Sequence, residues 1–396
     1  MPQFNCFLSN RKNPVQKDDR LWSAPIPLNR CQSKGILQPK PGVLISHGDY
    51  FNAVRNFLEQ DRYEIITHAV SQQTRRDITS EEIEEIRIFL EKHGEFYHPA
   101  RIETVFGQTT IPFVLNVAVS DIGKLCVQNE YLFLKKLDMG FPFSFLPKVY
   151  GQGRVFIHSE QLEIRMFLGE WFEGYNEFHI SLDPADEQHK IIVWDHEQGN
   201  YFLSTDQTKA LYRQAAKILT CYYNVETFEQ ISSWHHAAGD FVLKCQNDEI
   251  DVKLITVRQY GPMFGNDTGI GHNDSDVEMI LEALLVFFLN MAIKMRIDRL
   301  DGVGEIVWSD KVALMGILKG FFEGLALKPI ASVFPEHLNR CFRQHLLSCT
   351  RADFFDLNHA IFHTYSLQAP EVPVIRQHFE EHVEDLYNTI GQSEKV

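Results

Sequence analysis

The densest group of side chains capable of chemistry is a short run of histidines followed by an aspartate. Trp234, His235 and His236 stand four to six positions before Asp240. Histidine titrates near neutral pH, so an imidazole beside a carboxylate can act as a general base or bind an acidic ligand. Adjacent side chains of an extended segment point to opposite sides, so at most one of the two imidazoles faces a cleft. We take His236 and Asp240 as candidate catalytic residues; the alternative is a histidine bonded to backbone in a rigid loop.

Two other motifs have the spacing of metal or anion sites. His378, Glu381 and His382 form an H-x-x-E-H pattern, which on a helix places both imidazoles on one face, as in inverted zinc proteases. Only 14 residues follow His382 and none supplies an evident third ligand, so chance explains the pattern better. The glycines of residues 265–271 lack a Gly-Lys-Ser/Thr ending, and Asp267 would repel phosphate, which indicates a surface loop. No metal site is predicted.

An aromatic and acidic segment, residues 170–179, is the candidate ligand-binding region. Glu170, Trp171, Glu173 and Tyr175 combine carboxylates with aromatic faces, a composition that can bind an amine or a quaternary ammonium group. An aromatic core with exposed carboxylates explains the same composition, and both interpretations stay open.

Composition restricts the classes of protein to which the chain can belong. It has 396 residues, with 38 Lys and Arg against 53 Asp and Glu, so its net charge of −15 argues against a nucleic-acid binder. With 44% hydrophobic and 23% charged residues it is globular, and its length favours two or three units or two lobes. The most apolar stretch, residues 283–293, is too short for the ~20 residues of a membrane span. Without a signal-peptide core or paired cysteines, a cytoplasmic location with no membrane partner is predicted.

The elements that must position these side chains follow from capping signals and apolar periodicity. Residues 1–45 are predicted to form a loosely ordered arm, 46–168 an N-terminal α+β lobe and 169–396 a mainly helical C-terminal lobe. Capping-box spacing predicts helices beginning after Thr79 and Ser204. A charged run at 296–301 is interpreted as the salt-bridged end of a helix that stops at Gly302. Helices are predicted at 79–93, 128–137, 205–223, 276–299, 311–327, 336–349 and 372–390, and strands at 112–119, 142–150, 164–168, 191–195, 201–203, 241–244 and 252–257.

This order of elements resembles the protein-kinase-like fold, in particular its aminoglycoside and choline phosphotransferase branch. The resemblance covers about residues 101–327. Residues 113–119 resemble the third strand of the small lobe, 129–134 the following helix and 166–171 the hinge between lobes. Residues 234–241 fall at the catalytic loop, and 252–257 fall at the strand that carries the metal-binding aspartate. The resemblance implies a bilobal α+β fold.

The same resemblance implies a phosphoryl-transfer site that is incomplete here. In active members a lysine–glutamate pair holds the nucleotide phosphates, a loop aspartate orients the acceptor hydroxyl, and an asparagine with a second aspartate holds magnesium. Asn116 stands at the lysine position, Glu130 at the glutamate position and Thr256 at the second aspartate position. The loop aligns in two ways. Either Asp240 is the acid, with Ala238 replacing the family's histidine, or His236 replaces the acid, with Phe241 replacing the asparagine.

The leading expectation is therefore a kinase-like protein without the ordinary catalytic residues. It would act as a small-ligand-binding or regulatory module whose partner is a small molecule or a protein, and no cofactor is assigned. One alternative is an active, atypical phosphotransferase that uses ATP and magnesium, with Glu130, His236 and Asp240 rearranged around them. A second alternative is an unrelated structural or interaction scaffold.

Overall fold

The chain divides into two compact units, each described here by itself. The computed structural model describes residues 1–8, 12–27, 45–94, 96–158, 161–235, 239–263, 277–328 and 338–392. The N-terminal unit comprises Met1–Gly140 and Pro147–Glu173, and the C-terminal unit comprises Phe141–Leu146 and Gly174–Val396. The fold is mixed α+β with a β-sheet in the N-terminal region, as the order of predicted elements indicates.

The N-terminal unit is built on one six-stranded sheet. The order of its strands is β1-β2-β3-β4-β6-β5, with β1 parallel to β2 and every other neighbouring pair antiparallel. Its elements in chain order are β1 (Gln3–Leu8), α1 (His47–Glu59), a 3-10 turn (Gln60–Tyr63), α2 (Glu64–Thr74), β2 (Glu85–Leu90), β3 (Ala100–Phe106), β4 (Thr109–Ala118), α3 (Asp121–Gly140), β5 (Val149–Ile157) and β6 (Leu162–Glu170).

Helices cover both faces of this sheet. Phe113 and Leu115 of β4 share one apolar core with Tyr50 and Phe57 of α1, so α1 lies on that face. The opposite face carries α3, whose Tyr131 ring lies 6.1 Å from the ring of Phe167 on β6. Because side chains alternate along a strand, residues of β4 and β6 that are not in the first core point towards α3.

The C-terminal unit combines four small sheets with six helices among its described residues. The sheets are β7-β8-β9, β10-β13, β11-β12 and β14-β15, all with antiparallel pairing. The elements are β7 (Phe178–Asp183), β8 (Gln188–Val193), β9 (Tyr201–Phe202), α4 (Thr205–Tyr222), β10 (Glu229–Ser232), β11 (Phe241–Gln246), β12 (Glu249–Leu254), β13 (Gln259–Pro262), α5 (Val277–Lys294), β14 (Ile297–Arg299), a 3-10 turn (Leu300–Gly302), β15 (Ile306–Trp308), α6 (Val312–Ala326), α7 (Leu338–Ser348), α8 (Arg351–His363) and α9 (Val372–Gln392).

Local signals predicted several of these elements correctly. The side chain of Ser204 accepts the backbone N–H of Gln207, and the Gln207 side chain accepts the backbone N–H of Ser204, so the predicted capping box begins α4. The strands predicted at 191–195 and 201–203, with the polar turn at Gly199 and Asn200 between them, indicate a hairpin, and it forms, because β8 pairs antiparallel with β9. Among the described helices, none combines the length and the apolarity needed to cross a lipid bilayer.

The helix predicted at 79–93 is wrong, because its second half forms strand β2. Thr79 and Glu82 do bond to each other, but they form only a turn. Ile86, Ile88 and Leu90 are buried at every second position, which is the period of a strand. Pairing with β1 and β3 satisfies the backbone of this segment on both edges, and this non-local gain overrides the local capping signal.

Other boundaries also differ from the predictions. Six residues of the arm expected at 1–45 form strand β1, which adds to the sheet beside β2. The strand expected at 142–150 begins only at Val149, because Phe141–Leu146 belongs to the C-terminal unit, where the Phe143 ring lies 5.8 Å from that of Tyr222. The helix expected to reach residue 299 ends at Lys294, and Ile297–Arg299 forms β14 instead. Helices α1, α2 and α8 were not predicted.

Candidate functional site

Asp240 is fully buried and bound by an arginine that the sequence did not indicate. Both oxygens of its carboxylate accept hydrogen bonds from Arg258, Oδ2 from Nη1 at 2.5 Å and Oδ1 from Nη2 at 2.5 Å. Oδ2 also accepts the backbone N–H of His235 at 2.7 Å. Asp240 is 0% exposed, whereas the Arg258 side chain is 23% exposed. The result is a charge-assisted, bidentate pair with its acid end inside the protein.

Two short ladders bring these side chains together. In the β11–β12 hairpin Phe241 pairs with Leu254, and the bond from Ile255 N–H to the Asp240 carbonyl, 2.7 Å, extends that ladder by one step. In the β10–β13 ladder Ser232 pairs with Gln259, which places Arg258 next to residue 233. Arg258 also donates to the Ser233 carbonyl at 3.1 Å.

Thr256 lies in the same region, whereas His236 belongs to the part of the chain outside the described residues. Thr256 is partly buried and lies two residues before Arg258, in the segment that follows β12. His236 and Ala238 lie outside the described residues, so the structure places neither. His235 is exposed, and its backbone rather than its imidazole contacts Asp240.

Glu130 and Asn116 belong to the N-terminal unit, on the α3 side of the sheet. Glu130 is 1% exposed and lies in the buried stripe of α3 with Val127 and Leu134, three and four positions away. Asn116 of β4 is partly buried and pairs in register with Phe167 of β6. A neutral amide therefore occupies the strand position at which the resemblance expects a lysine.

The aromatic segment at 170–179 crosses the boundary between the two units. Glu170 ends β6, and its Oε2 accepts the backbone N–H of Lys148 at 3.2 Å. The guanidinium of Arg101 lies 5.9 Å from the Trp171 ring, while Glu173 is exposed.

Tyr175, on the C-terminal side of that boundary, has its own cation. The Lys244 ammonium lies 6.0 Å from its ring, and its hydroxyl donates to Asp251. The aromatic rings of Trp171 and Tyr175 thus each already lie near a positive side chain of the protein, the kind of group that the predicted ligand would supply.

The H-x-x-E-H motif and the charged run at 296–301 meet in the C-terminal unit. Nη1 of Arg296, which is 1% exposed, donates to Nδ1 of buried His382 at 3.3 Å and to Asp385 at 3.4 Å. Burial and the Arg296 charge lower the pKa of His382 to about 3. His378 instead faces Glu381 at 3.1 Å. Within the described ranges, no three His, Cys, Asp or Glu side chains are grouped so that they could hold a metal ion.

The interpretation of residues 296–301 as the salt-bridged end of a helix that stops at Gly302 is wrong, because the helix ends at Lys294. Arg296 donates Nε to the Ser309 carbonyl at 3.0 Å, and its guanidinium lies 4.8 Å from the Trp308 ring. Asp298 is 5% exposed and accepts the backbone N–H of Ile180 at 2.8 Å. These charges bond to buried backbone groups on β7 and beside β15, so they connect separate elements of the core. The glycine-rich residues 265–271 lie outside the described residues.

Comparisons with known proteins leave the chain without a family. No family model matches its sequence, and no curated protein matches it. One solved structure with a detectable likeness is titled "WaaP in complex with acyl carrier protein"; the match has a TM-score of 0.31 and 8% identity, and covers 67% of this chain and 86% of that one. A likeness at this level assigns neither a fold family nor an activity.

Proposed function

We propose that the chain is a protein with a kinase-like fold that does not transfer phosphoryl groups and acts as a small-ligand-binding or regulatory module. The observation that carries the proposal is the bidentate pair of Asp240 and Arg258. A catalytic aspartate must accept a proton from the acceptor hydroxyl or bind magnesium through an oxygen lone pair. At Asp240 those lone pairs already accept three N–H groups, and the carboxylate is away from solvent.

The chain path in the N-terminal unit supports the kinase-like part of the proposal. Three antiparallel strands, β2, β3 and β4, precede α3, and two strands follow it, with β6 placed between β4 and β5. The chain enters the C-terminal unit soon after β6 ends. A third strand followed by a glutamate-bearing helix, and a last strand leading to a hinge, are the features for which the sequence resemblance was drawn.

The charges at the other matched positions support the loss of activity. Asn116 offers no positive charge for a nucleotide phosphate, and Thr256 offers no carboxylate for a divalent ion. The cation nearest to Asp240 is a guanidinium, which keeps its proton at any physiological pH and is therefore not displaced by deprotonation. Magnesium binding at Asp240 would require the ion to compete with this fixed charge.

The test is a titration of the purified chain with ATP, with and without magnesium, followed by calorimetry and by the melting temperature. A ligand that binds only the folded state raises the melting temperature. We expect no magnesium-dependent change at millimolar ATP, and no labelled product when small hydroxyl and amino compounds are offered with labelled ATP. Magnesium-dependent binding that is lost in Asp240→Asn, while Asp251→Asn, an exposed acid of the same unit, retains it, would refute the proposal.

A further inference from the structure

A cavity of about 280 Å³ lies beside α3 in the N-terminal unit, and its mostly apolar wall includes two arginine and two glutamine side chains. Arg154 and Gln152 come from β5, Arg165 from β6, and Gln128 from α3. Val127 of α3, Met166 of β6 and Gly153 of β5 complete the lining. Every lining residue belongs to this unit, so the cavity is defined by the unit's own packing.

The register of β5 and β6 places the two arginines face to face. Arg154 is the direct partner of Arg165 in the antiparallel ladder. Both side chains lie on the α3 side, because Arg165 donates Nη1 to the Gln128 side chain. Gly153, which precedes Arg154 in β5, faces the opposite side of the sheet. A Cβ on Gly153 would lie 2.9 Å from the Phe57 ring of α1. Helix α1 therefore packs closely on the face of β5 that is opposite to Arg154.

The cavity has a local excess of positive charge in a strongly acidic protein. Like charges directly opposite each other destabilise a sheet unless another charge balances them. Within the described part of the chain the two guanidiniums share one carboxylate, Glu163, whose Oε1 lies 3.1 Å from Nε of Arg165 and 3.7 Å from Nη1 of Arg154. Two positive charges and one negative charge leave a net charge of +1. Glu163 is not part of the cavity wall, so it does not occupy the space in front of the guanidiniums.

Several hydrogen-bond donors at this position are unused within the described residues. The Arg154 guanidinium, which can donate five N–H groups, makes no hydrogen bond and lies over the Phe156 ring at 5.5 Å. The Gln128 amide oxygen is taken by Arg165, so its NH₂ group remains a donor. Planar guanidinium groups match the geometry of phosphate and carboxylate oxygens.

We propose that this cavity, the Arg154–Arg165 pocket, binds a small organic anion through a phosphate or carboxylate group. The oxyanion lies between the two guanidiniums, and the amide groups of Gln128 and Gln152 donate to its outer oxygens. Phe156, which is 45% exposed beside Arg154, offers an apolar surface to the organic part. The pocket uses none of the residues at Asp240, so its function does not depend on whether the chain transfers phosphoryl groups.

The experiment is a calorimetric titration of the full chain at low ionic strength with three probes: inorganic phosphate, phenyl phosphate and benzoate. We expect saturable binding of phosphate and tighter binding of phenyl phosphate. The affinity for benzoate, compared with that for phenyl phosphate, distinguishes recognition of a carboxylate from recognition of a phosphate. Each variant is first checked for an unchanged far-UV circular dichroism spectrum. Absence of saturable binding for all three probes at millimolar concentration overturns the proposal.

Two variants that should change the affinity in opposite directions test whether the anion binds in this pocket. Arg154→Gln, at a side chain that is 63% exposed, should weaken binding about tenfold, because hydrogen bonds to a charged group are lost. Glu163→Gln should tighten binding about threefold or more, because the competing charge is removed. Arg76→Gln is the matched control, since Arg76 is a comparably exposed arginine of the same unit paired with Glu82.

The outcomes separate this site from the one at Asp240. Equal weakening by Arg154→Gln and Arg76→Gln would indicate general electrostatic attraction and refute a specific pocket, as would weaker binding in Glu163→Gln. ATP binding that does not need magnesium and disappears in Arg154→Gln belongs to this pocket. ATP binding that needs magnesium and survives Arg154→Gln would instead count against the inactive site at Asp240.

Discussion

Removing Arg258 should destabilise the protein more than neutralising Asp240, its acidic partner. In Arg258→Met the apolar stem is largely kept, but the Asp240 carboxylate stays buried at 0% exposure with only the His235 N–H at 2.7 Å. Breaking a buried ion pair by removing one partner typically costs 3–5 kcal/mol. Because the His235 bond remains and the pair lies near the surface at its arginine end, we expect the lower end, about 3 kcal/mol.

In Asp240→Asn the buried negative charge is removed, while the size and shape of the side chain are nearly unchanged. The amide oxygen still accepts from Arg258 or from His235, and the guanidinium, 23% exposed, can reach water. The loss is then the one charge-assisted hydrogen bond to Oδ1, about 1.5–2 kcal/mol, because the partly exposed guanidinium recovers part of it from water. The double variant should be less destabilised than the sum of the two single variants by about 1 kcal/mol or more, because the two residues contact each other.

The assay is equilibrium urea unfolding at pH 7, followed by circular dichroism and tryptophan fluorescence, for the wild type, both single variants and the double variant. Trp234 packs beside this site, with its ring 6.2 Å from that of Phe241, and so contributes to the fluorescence change. If Asp240→Asn costs more than Arg258→Met, or if neither change lowers the free energy of unfolding, the reasoning is refuted. Asp240 would then be available for catalysis.

Three further predictions test other parts of the core. The pKa of His382 is about 3 when folded and near 6.5 when unfolded, so the stability it contributes is present above pH 6.5 and is lost as the pH falls towards 3. We expect the free energy of unfolding in urea to fall as the pH is lowered from 6.5 to 5. This slope should be smaller in His382→Gln than in the wild type, by up to about 1.4 kcal/mol per pH unit. Equal slopes in the two proteins would contradict this. Gly320→Ala should lower the free energy of unfolding in urea by about 1–3 kcal/mol, since its Cβ would lie 1.9 Å from the Arg213 carbonyl oxygen. Gly391→Ala, at a site with open space around the added Cβ, should not lower it. Ser204→Ala should cost about 1 kcal/mol through the lost cap of α4, and Ser204→Asp should restore it; no loss on removing the hydroxyl would count against the capping box.

The parts of the fold that could be predicted are those whose causes lie close together in the sequence. The cap of α4 depends on Ser204 and Gln207, three positions apart, and it forms as expected. The β8–β9 hairpin depends on a polar turn between two apolar runs, and it also forms. Strand β2 was missed because its state depends on β1, about eighty residues earlier, which no local pattern at Thr79 indicates.

The candidate site shows the same division. The sequence indicated Asp240 as chemically important and predicted strands at 241–244 and 252–257, which the structure pairs as β11 and β12. It gave no reason to select Arg258 from the residues after the second strand. The signal that could have found it is the register itself, since Phe241 opposite Leu254 leads one step later to Asp240 beside Ile255.

The sequence by itself determined the α+β composition, the acidic balance of −15 and the helices whose caps and apolar stripes are local. Only the tertiary structure decided which charges face each other: Arg258 and Asp240, Arg296 and Asp385, and Arg154 and Arg165. The physical reason is that caps and periodicity arise from bonds between residues a few positions apart. An ion pair depends instead on strand register and helix packing, which a chain acquires only when distant segments bury their apolar faces together.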